Sequence, residues 1–533
     1  MIKSKIVDYL KKIIKEPIEI EIFVPENDNF GHYSTNIALK LAKELKKNPM
    51  IIAEEIKIAL SYRIAANFKS NFFKKIEVVA PGFINFWLSE KILQNELKEI
   101  LKKKEKYGAG KKKKGKIQIE FISANPTGPL TLANGRGGFF GDALSNILEF
   151  CGYKIEREYY INDTGNQILT LGKSILANAG FLEWEEKFYK GGYVKEWTQK
   201  NLELIKKYKD KPMKVGQAAA KDFLKEIKSA IKKAGINFDR WTSEEKNIHK
   251  KNFINKALEI FKNKNLAYKK DGALWLKTTD FGDEKDRVLI TKDNFPTYFL
   301  ADAGHYLETK KRGFEQKIMI LGPDHHGYVN RIQVAAQIIG LKKSEIIITQ
   351  AVRLISKGQE IKMSKRKGEF VAFDELISEV GKDCARFFFL MHSLDSHMDF
   401  DLDLAKEQSM KNPVYYVQYA SVRIQSILAK NKNLKQKIDL NLLDTEEDIN
   451  LMKMLARFSE VIEESAGKYS PQILTRYSLE LARQFHNFYE KERVMGEGID
   501  INLTMARLEL IKATQIVFKN ILNILGVNIP KKM

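Results

Sequence analysis

Two short stretches carry residue types that could do chemistry on a phosphorylated substrate. In "IKMSKRKGEF" (361–370), Lys362, Lys365, Arg366 and Lys367 surround Ser364 and precede Gly368. A cationic loop of this kind can follow negative charge as it develops on a departing phosphate group. Standing alone, the same composition also describes a solvated basic loop. In "FISANPTGPLTLANGRGGFFGD" (121–142), Asn-Pro, Thr-Gly and Gly-Pro are followed by glycines at 135, 137, 138 and 141. A tight turn lets backbone N–H groups approach a phosphate, and the helix start beyond it favours negative charge. Asn125 and Thr131 offer side-chain donors there, and Asn134 stands where a helix would begin. The competing reading is a close-packed strand–helix turn without a ligand.

Three further groupings could contribute. Tyr298 and Asp302 are spaced i, i+4 and share a face if they lie on a helix. "GPDHHG" (322–327) offers Gly322, Asp324, His325 and His326 at a predicted strand end; a His-His metal site is the competing reading. "NPVYYVQYASVRI" (412–424) places aromatics at 415, 416 and 419, either as helix core or as exposed stacking surfaces.

These residues need elements to hold them. "KIQIEFIS" (116–123) alternates as a strand, and "GFFGDALSNILEFC" (138–151) has a helical apolar stripe. Strand, glycine-rich turn and helix open a nucleotide-binding α/β unit. "KIMILGPDHHG" (317–327) predicts a second strand ending in a turn, and "EIIITQAVRL" (345–354) a third before the basic loop. In open parallel sheets ligands bind beyond the carboxyl ends of the strands, where all three loops would fall.

Residues 1 to about 100 mix helical and strand patterns, with "KIEVVAPGFINFWLS" (75–89) reading as a hairpin broken at Pro81-Gly82. "KKKEKYGAGKKKKGK" (102–116) reads as a linker, or less simply as a phosphate-binding patch. From about 405 the pattern is helical nearly to the end. The expected fold class is α/β: a Rossmann-like parallel-sheet catalytic domain (104–404), an N-terminal α+β domain (1–103) and a C-terminal all-α helical domain (405–533).

Composition narrows the partners. Of 533 residues, 90 are Lys or Arg and 68 Asp or Glu, giving a net charge of +22 that favours a polyanion such as nucleic acid, though a lysine-rich genome would give the same excess. The amphipathic start, "MIKSKIVDYLKKII", reads as a first helix rather than a signal peptide, with a membrane or import role as the alternative. No apolar run is long enough for a bilayer, so no membrane partner is expected. Two distant cysteines, Cys151 and Cys384, suggest a reducing cytoplasm and no zinc site.

With these motifs in hand the chain resembles the arginyl-tRNA synthetases, a class I aminoacyl-tRNA synthetase family. "KMSKR" is similar to the class's second signature, and "SANPTGPLTLANGRG" occupies the place of the first. "YYINDTGNQI" (159–168), "FGDEKDRVLI" (281–290), "PTYFLADAGHY" (296–306), "GPDHHGYVNR" (322–331), "DSHMDFDLDLA" (395–405) and "NPVYYVQYASVR" (412–423) resemble the family's own segments, as do "FGHYSTNIALKLA" (30–42), "APGFINFWLS" (80–89) and the final Met533.

The resemblance implies an arginine–tRNA ligase that activates L-arginine with ATP and Mg2+ and transfers it to the 3′ end of tRNA-Arg, as a cytoplasmic monomer. It implies catalytic roles for Lys362, Ser364, Lys365, Thr131 and Asn134. ATP would meet Gly135, Gly322, Asp324, His325, His326 and Lys365. Glu120, Asn125, Tyr298 and Asp302 would bind arginine. Phe30, Tyr33 and Asn36 would meet the tRNA elbow, Tyr415 and Tyr419 the anticodon, and Met533 would also contact tRNA. One departure stands out: the family's two signature histidines align with Thr131 and Asn134, and its glycine with Ala133. Neutral donors there give weaker bonds to phosphate than charged ones. A non-catalytic tRNA-binding relative that lost activation with those histidines is therefore an alternative, as is another nucleotidyl-transfer enzyme of the α/β superfamily.

Overall fold

The computed structural model describes residues 1–66, 72–361, 372–430 and 438–533. The N-terminal unit begins with the helix Ile2–Lys11, whose Ile2, Ile6 and Leu10 recur every four residues and are buried. It is built on a small antiparallel sheet in the order β1-β3-β2, from β1 (Tyr33–Thr35), β2 (Phe73–Val79) and β3 (Phe83–Leu88). β2 and β3 are the hairpin expected around Pro81-Gly82.

The central sheet is parallel throughout. It contains β4 (Lys116–Glu120), β5 (Lys154–Ile161) and β6 (Arg240–Ser243). After an antiparallel insertion of β7 (Ala267–Lys270), β8 (Ala273–Leu276) and β9 (Arg287–Ile290), it is completed by β10 (Gln316–Leu321) and β11 (Lys343–Ile348). The order β11-β10-β4-β5-β6 reverses direction at β4. The switch point of this Rossmann-like sheet therefore lies between β4 and β10, where the crevice for a ligand opens.

The third predicted strand divides in two. β11 ends at Ile348, and the chain crosses to a separate sheet of β12 (Val352–Ser356), β13 (Gln359–Glu360) and β14 (Met398–Asp401). One apolar run serves two sheets because its middle, Thr349-Gln350-Ala351, bends between them.

The lysine-rich stretch after the helix Glu90–Lys103 is laid against the body rather than forming a free linker. Tyr107 is buried and stacks on Phe458, with ring centroids 6.1 Å apart. Gly110 and Lys113 donate backbone bonds to Phe150 O and Gly152 O, each at 2.8 Å. The helices after 405 share one hydrophobic core with the central sheet and the N-terminal unit. No helix among the described residues is long and apolar enough to cross a membrane.

Candidate active site

The crevice starts with strained backbone. β4 ends at Glu120, and the next residues but one, Ile122 and Ser123, have φ of 64° and 39°. A β-branched residue rarely enters that region, and such strain persists only when the surroundings impose it. Here Ser123 Oγ accepts from the Tyr160 N–H at 3.0 Å, and Tyr159 donates its hydroxyl to Ala124 O at 2.9 Å. The kink stops the strand three residues earlier than its alternation predicts and sets half-buried Asn125 above Glu120 in the chain's path.

The helix then begins at Leu132, two residues before Asn134, where its start was expected. Thr131 is its cap: its Oγ1 accepts from the Asn134 N–H, and Asn134 Oδ1 accepts from the Thr131 N–H at 3.0 Å and from its hydroxyl at 2.9 Å. The two residues close a capping box, a role histidines at the same positions would not fill. The glycines lie inside this helix and give it a flat face. A β-carbon at Gly135 would lie 2.1 Å from the Phe373 ring, and one at Gly141 2.3 Å from Phe121. Gly135, expected to cradle a phosphate, packs against Phe373 instead. A bridge from Thr131 to Ala372 and the bond from Phe373 N to Leu130 O join the helix start to the chain just after the basic loop. Buried Arg136 reaches Gln350 O and Ser393 O at 3.2 and 2.5 Å, fixing two neighbouring loops.

Opposite lies the helix Tyr298–Lys311, capped by Thr297. Tyr298 and Asp302 do share its face. Tyr298 is 60% exposed, while Asp302 points inward and accepts a hydrogen bond from the Tyr328 hydroxyl. Burial pushes the Asp302 carboxyl up to about 7, with Glu244 and Glu120 adding negative charge against the opposing effects of Tyr328 and His305. Glu120 and Glu244 thus both act on the Asp302 carboxyl. Tyr160 is held well above its ordinary range by burial, by all three of these carboxylates and by a hydrogen bond to Glu244. Such a pocket suits a cation with several donors.

Glu244 was not foreseen. It opens the short π-helix Glu244–His249, and its Oε1 meets His249 Nε2 at 3.1 Å. A π-turn shows no period a sequence reading would detect, although such turns recur at functional sites. Tyr328, in the "GPDHHGYVNR" segment, was likewise passed over.

Gly322 caps a 3-10 turn, Pro323–Tyr328, directly beyond β10. Asp324 and His325 are exposed there at the mouth of the crevice. Nothing is described of the His326 side chain, and Lys362, Ser364 and Lys365 fall outside the described residues.

Among the described residues, the grouping of metal-type donors is Glu120, Glu158 and His305. The Lys317 ammonium lies among them, 2.8 Å from Glu120 and 3.2 Å from Glu158, so the chain supplies its own cation. Cys151 and Cys384 are separate, buried free thiols.

The residues expected to meet RNA divide. Phe30 and Met533 are exposed at 45% each. Asn36 is half-buried and caps the helix Ile37–Leu45. Tyr33 is not a surface residue: it is 1% exposed and donates its hydroxyl to Glu460 Oε2 at 2.9 Å, joining the N-terminal unit to the C-terminal helices. Its strand position, between buried neighbours, turns it inward. Tyr415 and Tyr419 lie one helical turn apart with rings nearly parallel, 6.3 Å between centroids. They line an open cavity of about 700 Å³ with Arg423, His486 and Tyr489.

Comparison with known proteins agrees along the whole chain. Residues 1–88 match the arginyl tRNA synthetase N terminal domain, 96–388 the catalytic domain of tRNA synthetases class I (R), and 417–533 the DALR anticodon binding domain. A Listeria welshimeri protein named arginine–tRNA ligase is 40% identical over 99% of this chain and 98% of its own. One of the same name from Citrifermentans bemidjiense is 39% identical, covering 96% and 95%. The solved Thermus thermophilus arginyl-tRNA synthetase, 21% identical, superposes with a TM-score of 0.82 over 100% of both chains, which shows the shared fold.

Proposed function

The chain belongs to the arginyl-tRNA synthetase family, and on that premise we propose how its residues divide the work of an arginine–tRNA ligase. The reaction joins arginine to ATP as arginyl-adenylate with release of pyrophosphate, then moves the arginyl group to the 3′ end of tRNA-Arg. The observation that carries the site reading is inward-pointing Asp302, held by Tyr328 from the turn beyond β10 and within the charge of Glu120 at the end of β4 and Glu244 beyond β6.

In this reading Glu120, Glu244 and Asp302 receive the guanidinium, with Tyr328 orienting Asp302 and Tyr298 covering the mouth. Asn125, beyond the kink, takes the polar end of the amino acid. ATP, with magnesium as part of that substrate, lies across the start of the Leu132–Phe150 helix and the Gly322–His326 turn. The helix N-terminus favours the phosphate's negative charge, and the Asn134 side-chain N–H2, not used in the capping box, is left as a neutral donor. Lys362 and Lys365 would supply positive charge, and Ser364 a hydroxyl donor, to the departing pyrophosphate, where negative charge grows. No covalent enzyme intermediate is required; catalysis is positioning and electrostatics.

The tRNA would lie from Phe30 and Asn36 across to the Tyr415/Tyr419 cavity, where bases can stack on the rings. The reading takes the chain to act as a monomer. The free thiols fit a reducing cytoplasm.

Asp302→Asn tests the pocket. Removing one half of a buried charged contact should cost on the order of 2–5 kcal/mol in kcat/KM for arginine, with ATP binding kept. Unchanged arginine kinetics would remove Asp302 from the pocket.

A further inference from the structure

We propose that Lys317 is a positioning residue for Glu120: its ammonium, buried beneath the pocket, holds that carboxylate in place as an ion pair so that it is presented to the guanidinium. The proposal rests on the arginine reading of the pocket.

Lys317 is the second residue of β10 and is fully buried. Register places it beside Gln118 of β4, and Glu120 beside Glu158 of β5. Strand alternation puts all four on the face covered by the Tyr298–Lys311 helix. The ammonium, with three donors and no acceptor, meets Gln118 Oε1 at 2.8 Å, Glu120 Oε2 at 2.8 Å, Glu158 Oε2 at 3.2 Å and His305 Nε2 at 3.2 Å. The Tyr306 ring lies 5.4 Å away. Burial alone would discharge the ammonium, but Glu120 and Glu158 raise it above the ordinary lysine range, so it stays charged.

The two carboxylates depend on it unequally. Glu158 also receives the Thr242 hydroxyl, His305 Nε2 at 3.0 Å, and the guanidinium groups of Arg312 at 3.4 Å and Arg240 at 3.6 Å. Glu120 meets Lys317 at 2.8 Å and His305 Nδ1 only at 3.9 Å. A lysine present merely to neutralise the layer would serve Glu158, which has cations to spare. Its contact with Glu120 is an ion pair on Oε2, a buried oxygen that receives no hydrogen bond, so charge from Lys317 is what holds that carboxylate. A carboxylate without such a partner would be free to turn, and a site is only as well placed as the shell behind it.

The test uses the full chain charging tRNA, with Lys317→Met and, should that variant fold poorly, Lys317→Met/Glu158→Gln. In the double variant a glutamine still accepts from Thr242, while Arg240 and Arg312 keep Glu308 as a partner. Either variant should raise the arginine KM by about tenfold or more, leave the ATP KM unchanged, and change kcat at saturating arginine much less. Glu120→Gln is the control for the pocket itself: normal arginine use by that variant would sink the arginine reading of Glu120, whatever Lys317 does. If Glu120→Gln loses arginine while folded Lys317 variants keep the wild-type arginine KM, the proposal alone is overturned. Failure of both Lys317 variants to fold would also overturn it, by showing a purely structural layer.

Discussion

Tyr328, in the turn beyond β10, donates its hydroxyl to Asp302, one turn into the helix that faces it. Two segments far apart in the chain thus meet on one carboxylate. Burial, Glu244 and Glu120 push that carboxyl up to about 7. Its folded value lies above the usual carboxylate value of about 4. Protonation therefore favours the folded state, and this contribution is lost as pH rises through about 7. A guanidinium needs the ionised form. Arginine affinity should rise with pH up to about 7 and then level off, with a proton released on binding near neutrality. Calorimetry in buffers of different ionisation enthalpy checks this, and Asp302→Asn should abolish the release. Affinity independent of pH between about 6 and 8 would contradict it.

The capping box makes a prediction about the missing histidines. Thr131→His/Asn134→His removes both halves of the cap, which should cost about 1 kcal/mol or more of stability and slow activation. Urea unfolding and adenylate formation measure the two. A folded double variant of wild-type stability that activates arginine faster would show that Thr131 and Asn134 are merely weaker substitutes.

Gly135→Ala should act through Phe373. The added carbon would overlap that ring, and overpacking of this kind costs about 1–3 kcal/mol. Because Phe373 follows directly after the basic loop, turnover should fall more than arginine affinity. Equal effects on both would argue against that coupling.

Lys365→Ala should lower kcat strongly with a smaller change in arginine KM, since the loop serves charge that appears in the transition state. A loss confined to arginine binding would overturn that role.

Tyr419→Ala should weaken tRNA binding by about 1–3 kcal/mol if a base stacks there, with the arginine KM little changed. The remaining affinity should fall steeply with salt, as phosphate contacts do. Unaltered tRNA binding would place the stacked bases elsewhere.

Much of this was legible beforehand because it is local. Alternation marked β4 and β10, and i, i+4 spacing joined Tyr298 to Asp302 on one helix. The glycine-rich stretch could be read either as a phosphate turn or as a close-packed turn. Its glycines let a helix approach Phe121 and Phe373, contacts made by residues distant in sequence. Tyr33 looked like a surface aromatic because its partner, Glu460, is more than four hundred residues away. Glu244 sits on a π-turn without a readable period, and Lys317 looked like any lysine opening a strand. Their roles arise only when the parallel register stacks β4, β5 and β10 under one helix.

The most direct measurement is transfer of labelled arginine to tRNA by the purified full-length chain, with ATP present or withheld. The account predicts arginine esterified to tRNA-Arg only when ATP is supplied, and no esterification by the Asp302→Asn variant at arginine concentrations that saturate the wild type. Absence of arginyl-tRNA from a folded, tRNA-binding chain given all substrates would contradict it.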